Sequence, residues 1–338
     1  MRVLTVRNVN IAFPQAIRLI LDEGVKRGSR NGPVLVMPGP VTTVYTHPCE
    51  RVLFDPDRDC NPFFHLYESL WMLAGRNDLA PLVRYAKNIA SYSDDGETVN
   101  GSAYGYRWRH HFEDDQLEQI IKMLSANPED RRAVLQMWDA SYDLGSASKD
   151  IPCNMMATFQ RDHEGKLDVT VFCRSNDIIW GAYGANAVQF GTLLEYMACR
   201  IGCQVGVYRQ VSVNWHAYLA TLLPMAHKAH VTPEDPYAES VRNIPMSSTP
   251  PLDGRIAELL ADADTGFIRP HAYSGDLFIE TAYQVLRAHH IWKNRVAPER
   301  YTDALIALSF ADASVDWVRA AREWIQRRQA KWEETRRA

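Results

Sequence analysis

Between residues 11 and 27 apolar side chains recur at helical spacing. Ala16, Ile17, Leu19, Ile20, Leu21 and Val25 fall mostly on one face, which predicts a first helix. Gly28, Ser29, Asn31 and Gly32 then mark a loop from Arg27 to Pro33, followed by a strand from Val34 to Met37. The run PFFHLYESLWMLAG, residues 62–75, predicts a buried helix stopped by Gly75. A further helix is expected over 116–125. Three strands follow: Arg132–Trp138, Met155–Arg161 and Lys166–Cys173, the last (KLDVTVFC) alternating and rich in β-branched residues. Helical spacing returns over 186–201. From Val231 to Leu252 the text is rich in Pro, Ser and Asn and is expected to be a linker. Amphipathic helices are predicted over 275–292 and 302–334, the second ending in a charged, solvated face. Strands and helices in mixed order give an α+β class, with a main unit over 1–235 and a helical extension over 236–338 packed on it.

Composition narrows the picture. The 338 residues are 46% hydrophobic, enough for a substantial core. With 37 basic and 41 acidic residues the formal charge is −4, so no nucleic-acid or membrane surface is expected and any anion site is local. Six cysteines are scattered, with no CxxC pair and no spacing suited to zinc; no metal is expected. The N-terminal MRVLTVRNVNIAF is too charged for a signal peptide, and no run of 18 apolar residues follows, so the expected location is the cytoplasm.

Cys153 lies in DIPCNMM, between a polar loop and a strand. A lone cysteine is ordinarily structural. Here Arg131 and Arg132 lie upstream, Arg174 and Ser175 downstream, and His216-x-Tyr218 further on. Arginine forks suit a phosphate dianion, and their charge favours the reactive thiolate. The pattern alone predicts a nucleophile beside an anion site. A cysteine hydrolase pairing Cys153 with His216, or a non-catalytic nucleotide-binding protein, remains possible on these residues alone.

The order RR, then PC, then RSND, then HxY resembles the thymidylate synthase superfamily, which includes nucleotide C5-hydroxymethylases. The resemblance runs from about Ala16 to Tyr218. It implies an α+β fold with a large mixed sheet at a dimer interface, and methylenetetrahydrofolate and a pyrimidine nucleoside monophosphate as substrates. It implies Cys153 as the nucleophile adding to C6 of the base, which makes C5 carbanion-like. Glu68, flanked by Leu66, Leu70 and Trp71, would organise water and move protons at the ring, and Tyr104 would lie near the cysteine. Arg30, Arg174 and Ser175 would hold the phosphate, with Arg131 and Arg132 arriving from the partner subunit. His216 and Tyr218 would bind the sugar hydroxyl, and Asp177 the pterin. Trp108 is expected either to stack on folate or to sit in the core.

Three departures from the family pattern bear on the chemistry. Asn154, not histidine, follows the nucleophile. GAYGAN replaces GxPFN, so Ala185 falls where the base-reading residue is expected unless a one-residue bulge near Gly184 brings in Asn186. The chain ends in ETRRA rather than a short apolar lid. A looser lid admits water, so the expected product is hydroxymethyl rather than methyl. An asparagine can serve uracil or cytosine by reversing its amide. The expected substrate is therefore deoxyuridylate or deoxycytidylate, with methylation and ribonucleotide hydroxymethylation as alternatives.

Overall fold

The computed structural model describes residues 1–248, 251–268 and 274–337. Residues 249 and 250 of the expected linker and the last residue of the charged C-terminal run lie outside the described residues. Among those described, eight strands form one mixed sheet: β1 (Arg2–Val6), β2 (Val25–Arg27), β3 (Val34–Val36), β4 (Val41–Tyr45), β5 (Val134–Gln136), β6 (Asn154–Arg161), β7 (Leu167–Asp177) and β8 (Val205–Tyr218). The main order is β1-β4-β8-β7-β6-β5, with β3 joined to the end of β8 and β2 to β3.

The orientation of three strands builds the site. β6 runs antiparallel to β7, and β8 parallel to it. The start of β6 and the ends of β7 and β8 therefore meet at one end of the sheet. In register, Asn154 faces Cys173, while Ser175, Asn176 and Asp177 lie beside Asn214, Trp215 and His216. One sheet face is core: Leu167, Val169, Val171 and Cys173 are fully buried.

Several expectations shift at their boundaries. The first helix is Val9–Glu23, started by the Asn8 side chain, and its predicted tail is β2. The 186–201 helix is observed as Asn186–Ile201. The expected 302–334 helix is two helices, Glu299–Leu308 and Asp316–Arg337. A helix not expected, Leu252–Thr265, precedes Leu277–Asn294. β1, β4 and β8 were also not expected.

The C-terminal helices pack on the Pro62–Leu73 helix. Phe63 meets His289 and Trp324 at 5.0 and 5.3 Å between ring centres, and the Tyr67 hydroxyl donates to Asp264 at 2.5 Å. The opposite side of this helix takes the Tyr104 turn at very close range. A Cβ added at Gly105 would lie 1.8 Å from the Met72 carbonyl oxygen, part of a rigid helix backbone. Gly105→Ala is therefore expected to cost about 2–3 kcal/mol as forced overpacking, read by chemical denaturation. A loss under about 0.5 kcal/mol would mean the turn can move away.

Candidate active site

Cys153 immediately precedes β6, and its carbonyl accepts the Arg174 N–H at 2.8 Å. The Arg174 guanidinium returns to the same loop, donating to the Pro152 carbonyl at 2.8 Å and the Ile151 carbonyl at 3.2 Å. The nucleophile and the arginine thus form one unit. The N–H groups of Cys153 and Asn154 both donate to the Tyr104 hydroxyl at 3.2 Å. With two bonds accepted, that hydroxyl keeps its own hydrogen for a further acceptor.

Two buried ties hold the Tyr104 segment. Arg107 is completely buried, bonded to the Asn100 and Met137 carbonyls and paired with Asp143 at 2.7 and 2.8 Å. The Asp150 carboxylate accepts from the Gly101 and Ser102 N–H groups at 2.7 and 2.8 Å, joining this segment to the cysteine loop.

The electrostatics correct one expectation. Arg174 and Arg30 pull the Cys153 thiol toward ionisation, but burial outweighs them and Asp150 adds to it, so the thiol lies above its ordinary range. Burial also pushes the Tyr104 phenol up.

Glu68 lies on the Pro62–Leu73 helix, 8% exposed. Burial raises its carboxyl to about 7, and the Gln189 side-chain N–H, donated at 2.8 Å, offsets part of this. Gln189 lies on the Asn186–Ile201 helix and was not singled out in sequence.

Between Asp177 and that helix the chain makes a wide π-helical segment, Ile178–Ala185. Such a turn absorbs one extra residue, and this one precedes Asn186 directly. Asn186 is buried and sits in a chain of polar side chains. Asn154 donates to its Oδ1 at 3.2 Å, and its Nδ2 donates to Asn176 at 3.1 Å. Asn176 in turn donates to Ser212 at 3.0 Å, and Gln210 donates to Asn154 at 3.2 Å. Tyr208 closes the far end on Gln210. Ala185 has only a methyl group and makes no such bond.

Asp177 accepts from the Ile179 and Trp180 N–H groups at 3.2 and 3.3 Å. Its carboxyl is raised by burial, while the nearby His216 and Arg58 oppose the shift. His216 makes its ring contacts with the Asn214 carbonyl, 3.3 Å, and Tyr218, 5.4 Å between centres. Among the described residues no hydrogen bond joins it to the Cys153 thiol, whose own contact is the Ile151 carbonyl at 4.0 Å. The pairing a cysteine hydrolase needs is not formed.

Ser175, half-buried at the end of β7, follows Arg174. Arg30, Arg131 and Arg132 are exposed, and Arg132 turns onto Asp130 at 2.6 Å. Within one chain these three do not close the site. Trp108 is 1% exposed and packs near Phe190, 6.1 Å between centres. It has no accessible ring face, so its place is the core and the folate-stacking expectation is corrected. Among the described residues no group of three or more His, Cys, Asp or Glu side chains is placed to hold a metal ion.

A half-buried cysteine tied to arginine, with a tyrosine, a buried glutamate and an oriented asparagine, is a constellation for addition to a polar ring. The thymidylate synthase family model matches residues 12–243. The chain belongs to the thymidylate synthase family. It is similar over nearly its whole length to a deoxyuridylate hydroxymethyltransferase of Pseudomonas phage M6: 48% identity over 346 aligned positions, covering 98% of this chain and 96% of that protein. A deoxyuridylate hydroxymethyltransferase of Bacillus phage SP01 is 40% identical over 191 positions, 53% of this chain and 49% of the relative. A putative thymidylate synthase of Methanothermobacter thermautotrophicus is 37% identical over 115 positions, 34% of this chain and half of its own length. The chain is therefore a one-carbon transferase of this family, and the C-terminal third that the family model leaves unmatched aligns with the phage M6 relative.

Proposed function

We propose that this protein transfers a one-carbon unit from methylenetetrahydrofolate to C5 of deoxyuridylate and releases hydroxymethyldeoxyuridylate. The observation that carries this reading is the near full-length similarity to the phage M6 deoxyuridylate hydroxymethyltransferase, joined to the Cys153–Tyr104–Asn186 arrangement.

In this reading the Cys153 sulfur bonds to C6 and the ring electrons move toward C5 and O4. Arg174, with Ser175 and Arg30, draws in the phosphate. Burial of the thiol makes ionisation wait for substrate. The folate supplies the carbon at the formaldehyde oxidation level. Glu68, close to neutrality in its proton affinity, shuttles protons at the carbonyl side of the ring. Loss of the C5 proton and departure of tetrahydrofolate leave an exocyclic methylene on the base. Water adds there, the Cys153–C6 bond breaks, and the balance is nucleotide plus methylenetetrahydrofolate plus water giving hydroxymethyl nucleotide plus tetrahydrofolate.

The polar chain supports uracil. Asn186 spends one lone pair on Asn154 and one N–H on Asn176. One acceptor site and one N–H remain, enough to meet the N3–H and O4 of the deoxyuridylate base. Cytosine requires the opposite polarity. Asn186→Asp is expected to move the kcat/KM ratio toward deoxycytidylate by about a hundredfold, measured with both nucleotides in competition. An unchanged ratio removes Asn186 from base reading.

A homodimer completes the site in this reading. The outward sheet face carries a cross-strand row, Met156, Phe172 and Val211, only half-buried in one chain, and Val213 beside it is 53% exposed. A second copy covering this face brings its Arg131 and Arg132 to the phosphate. Product analysis tests the proposal: hydroxymethyldeoxyuridylate with tetrahydrofolate supports it, and thymidylate with dihydrofolate contradicts it.

A further inference from the structure

The segment DPDRDC, residues 55–60, carries three aspartates around one arginine, and the aspartates are held by cations from two other parts of the chain. Lys228 bridges Asp55 and Asp57 at 2.9 and 2.7 Å. Asp59 takes two arginines of the C-terminal Asp316–Arg337 helix. Arg327 donates twice to Oδ1, at 2.9 and 3.1 Å, and Arg328 donates to Oδ2 at 2.9 Å. The Arg58 N–H is fixed on the Asp55 carboxylate at 2.9 Å.

With its acidic neighbours occupied, Arg58 turns inward. It is 6% exposed, donates to the Ile179 carbonyl at 2.7 Å and lies 3.9 Å above the Trp180 ring. Trp180 is 56% exposed, three residues beyond Asp177, in the π-helical segment that leads to Asn186. A half-exposed indole with a guanidinium on one face is an aromatic platform held in place. The charge of Arg58 also reaches the Asp177 carboxyl.

We propose that the C-terminal helix positions the folate through this loop: Arg327 and Arg328 anchor the loop at Asp59, and the adjoining Arg58, held on Asp55 and on the Ile179 carbonyl, sets Trp180 as the wall on which the conjugated rings of the folate stack. The inference rests on the folate reading above. Asp59, Arg327 and Arg328 are positioning residues, remote from the reacting carbons. The ion cluster is partly exposed, so its effect is modest and salt-sensitive.

Asp59→Asn is the cleanest probe. Asp59 has a left-handed φ of 45°, which asparagine adopts as readily as aspartate, so the substitution removes the charge and spares the backbone. The KM for methylenetetrahydrofolate is expected to rise about tenfold, with kcat at saturating folate, the nucleotide KM and the melting temperature nearly unchanged. Quenching of tryptophan emission by folate binding is expected to shift by the same factor, and to be largely lost in Trp180→Phe. Arg327→Gln, altering the other side of the pair, is expected to act in the same direction.

An unchanged folate KM in Asp59→Asn, with wild-type protein making product, overturns the inference. Equal rises in both KM values with a fall in melting temperature also overturn it, since a general loosening then accounts for the effect. Wild-type protein that makes no product yet shows the Trp180 quench and its shift in Asp59→Asn fails the reaction proposed above while supporting the positioning role. Absence of both product and quench overturns both.

Discussion

Cys153→Ala is expected to abolish turnover while leaving the nucleotide bound. The sulfur is the bond-forming atom in the scheme, and no neighbouring group substitutes for it. Tyr104 hydrogen-bonds the backbone of Cys153 rather than competing with its side chain, and Arg174 holds the loop through the carbonyls of Ile151 and Pro152. The loop therefore survives truncation. A fall in kcat on the order of 10⁴-fold or more is expected, with the Kd for deoxyuridylate within a few-fold of wild type. Tritium release from C5-labelled nucleotide reads the covalent step directly. Persistent release in Cys153→Ala removes the thiolate addition from the mechanism.

Glu68→Gln is expected to lower kcat by about 10²–10³-fold, because a positioned proton carrier is lost while the shape of the site is kept. The same carboxyl leaves two pH signatures. The wild-type kcat/KM profile is expected to contain an ionisation near 7 that is absent in Glu68→Gln. The second concerns stability. The unfolded carboxyl ionises near 4.5 and the folded one near 7, so between these values the native state holds a proton the unfolded chain has released. The stabilisation linked to that proton is complete below 4.5 and lost as pH rises toward 7. Glu68→Gln flattens that slope in part only. Asp316, fully buried and likewise raised to about 7 by burial, contributes a slope of the same sign. An unaltered pH–stability curve would show that Glu68 is not the buried acid described.

The chemistry was more legible in the sequence than the sheet that carries it. Cys153, Arg174, Asp177 and Asn186 lie within a short stretch, and β7 announces itself through strict alternation of Leu167, Val169, Val171 and Cys173. β8 does the reverse. Its core-facing positions include Gln210 and Ser212, while Val207, Val211 and Val213 face outward, so alternation points the wrong way. That inversion is itself the functional signal: Gln210 and Ser212 face inward because they end the amide chain that orients Asn186 and Asn154. The Cys153 thiol departs from its expected ionisation for a related reason. Counting arginines near Cys153 measures charge but not burial, and burial is the larger influence. Trp108 could not be placed from sequence because a core indole and a stacking indole share the same neighbours along the chain. The DPDRDC loop reads in sequence as a solvated charge run. Only the C-terminal helix laid against Asp59 gives it direction.

Water, not hydride, is expected to reach the methylene that Cys153 helps to create. The direct measurement is the mass of the nucleotide formed from deoxyuridylate and methylenetetrahydrofolate in heavy-oxygen water. The expected product has gained one CH2O unit carrying the heavy oxygen, with tetrahydrofolate as co-product. A gain of CH2 alone, with dihydrofolate, would contradict this expectation.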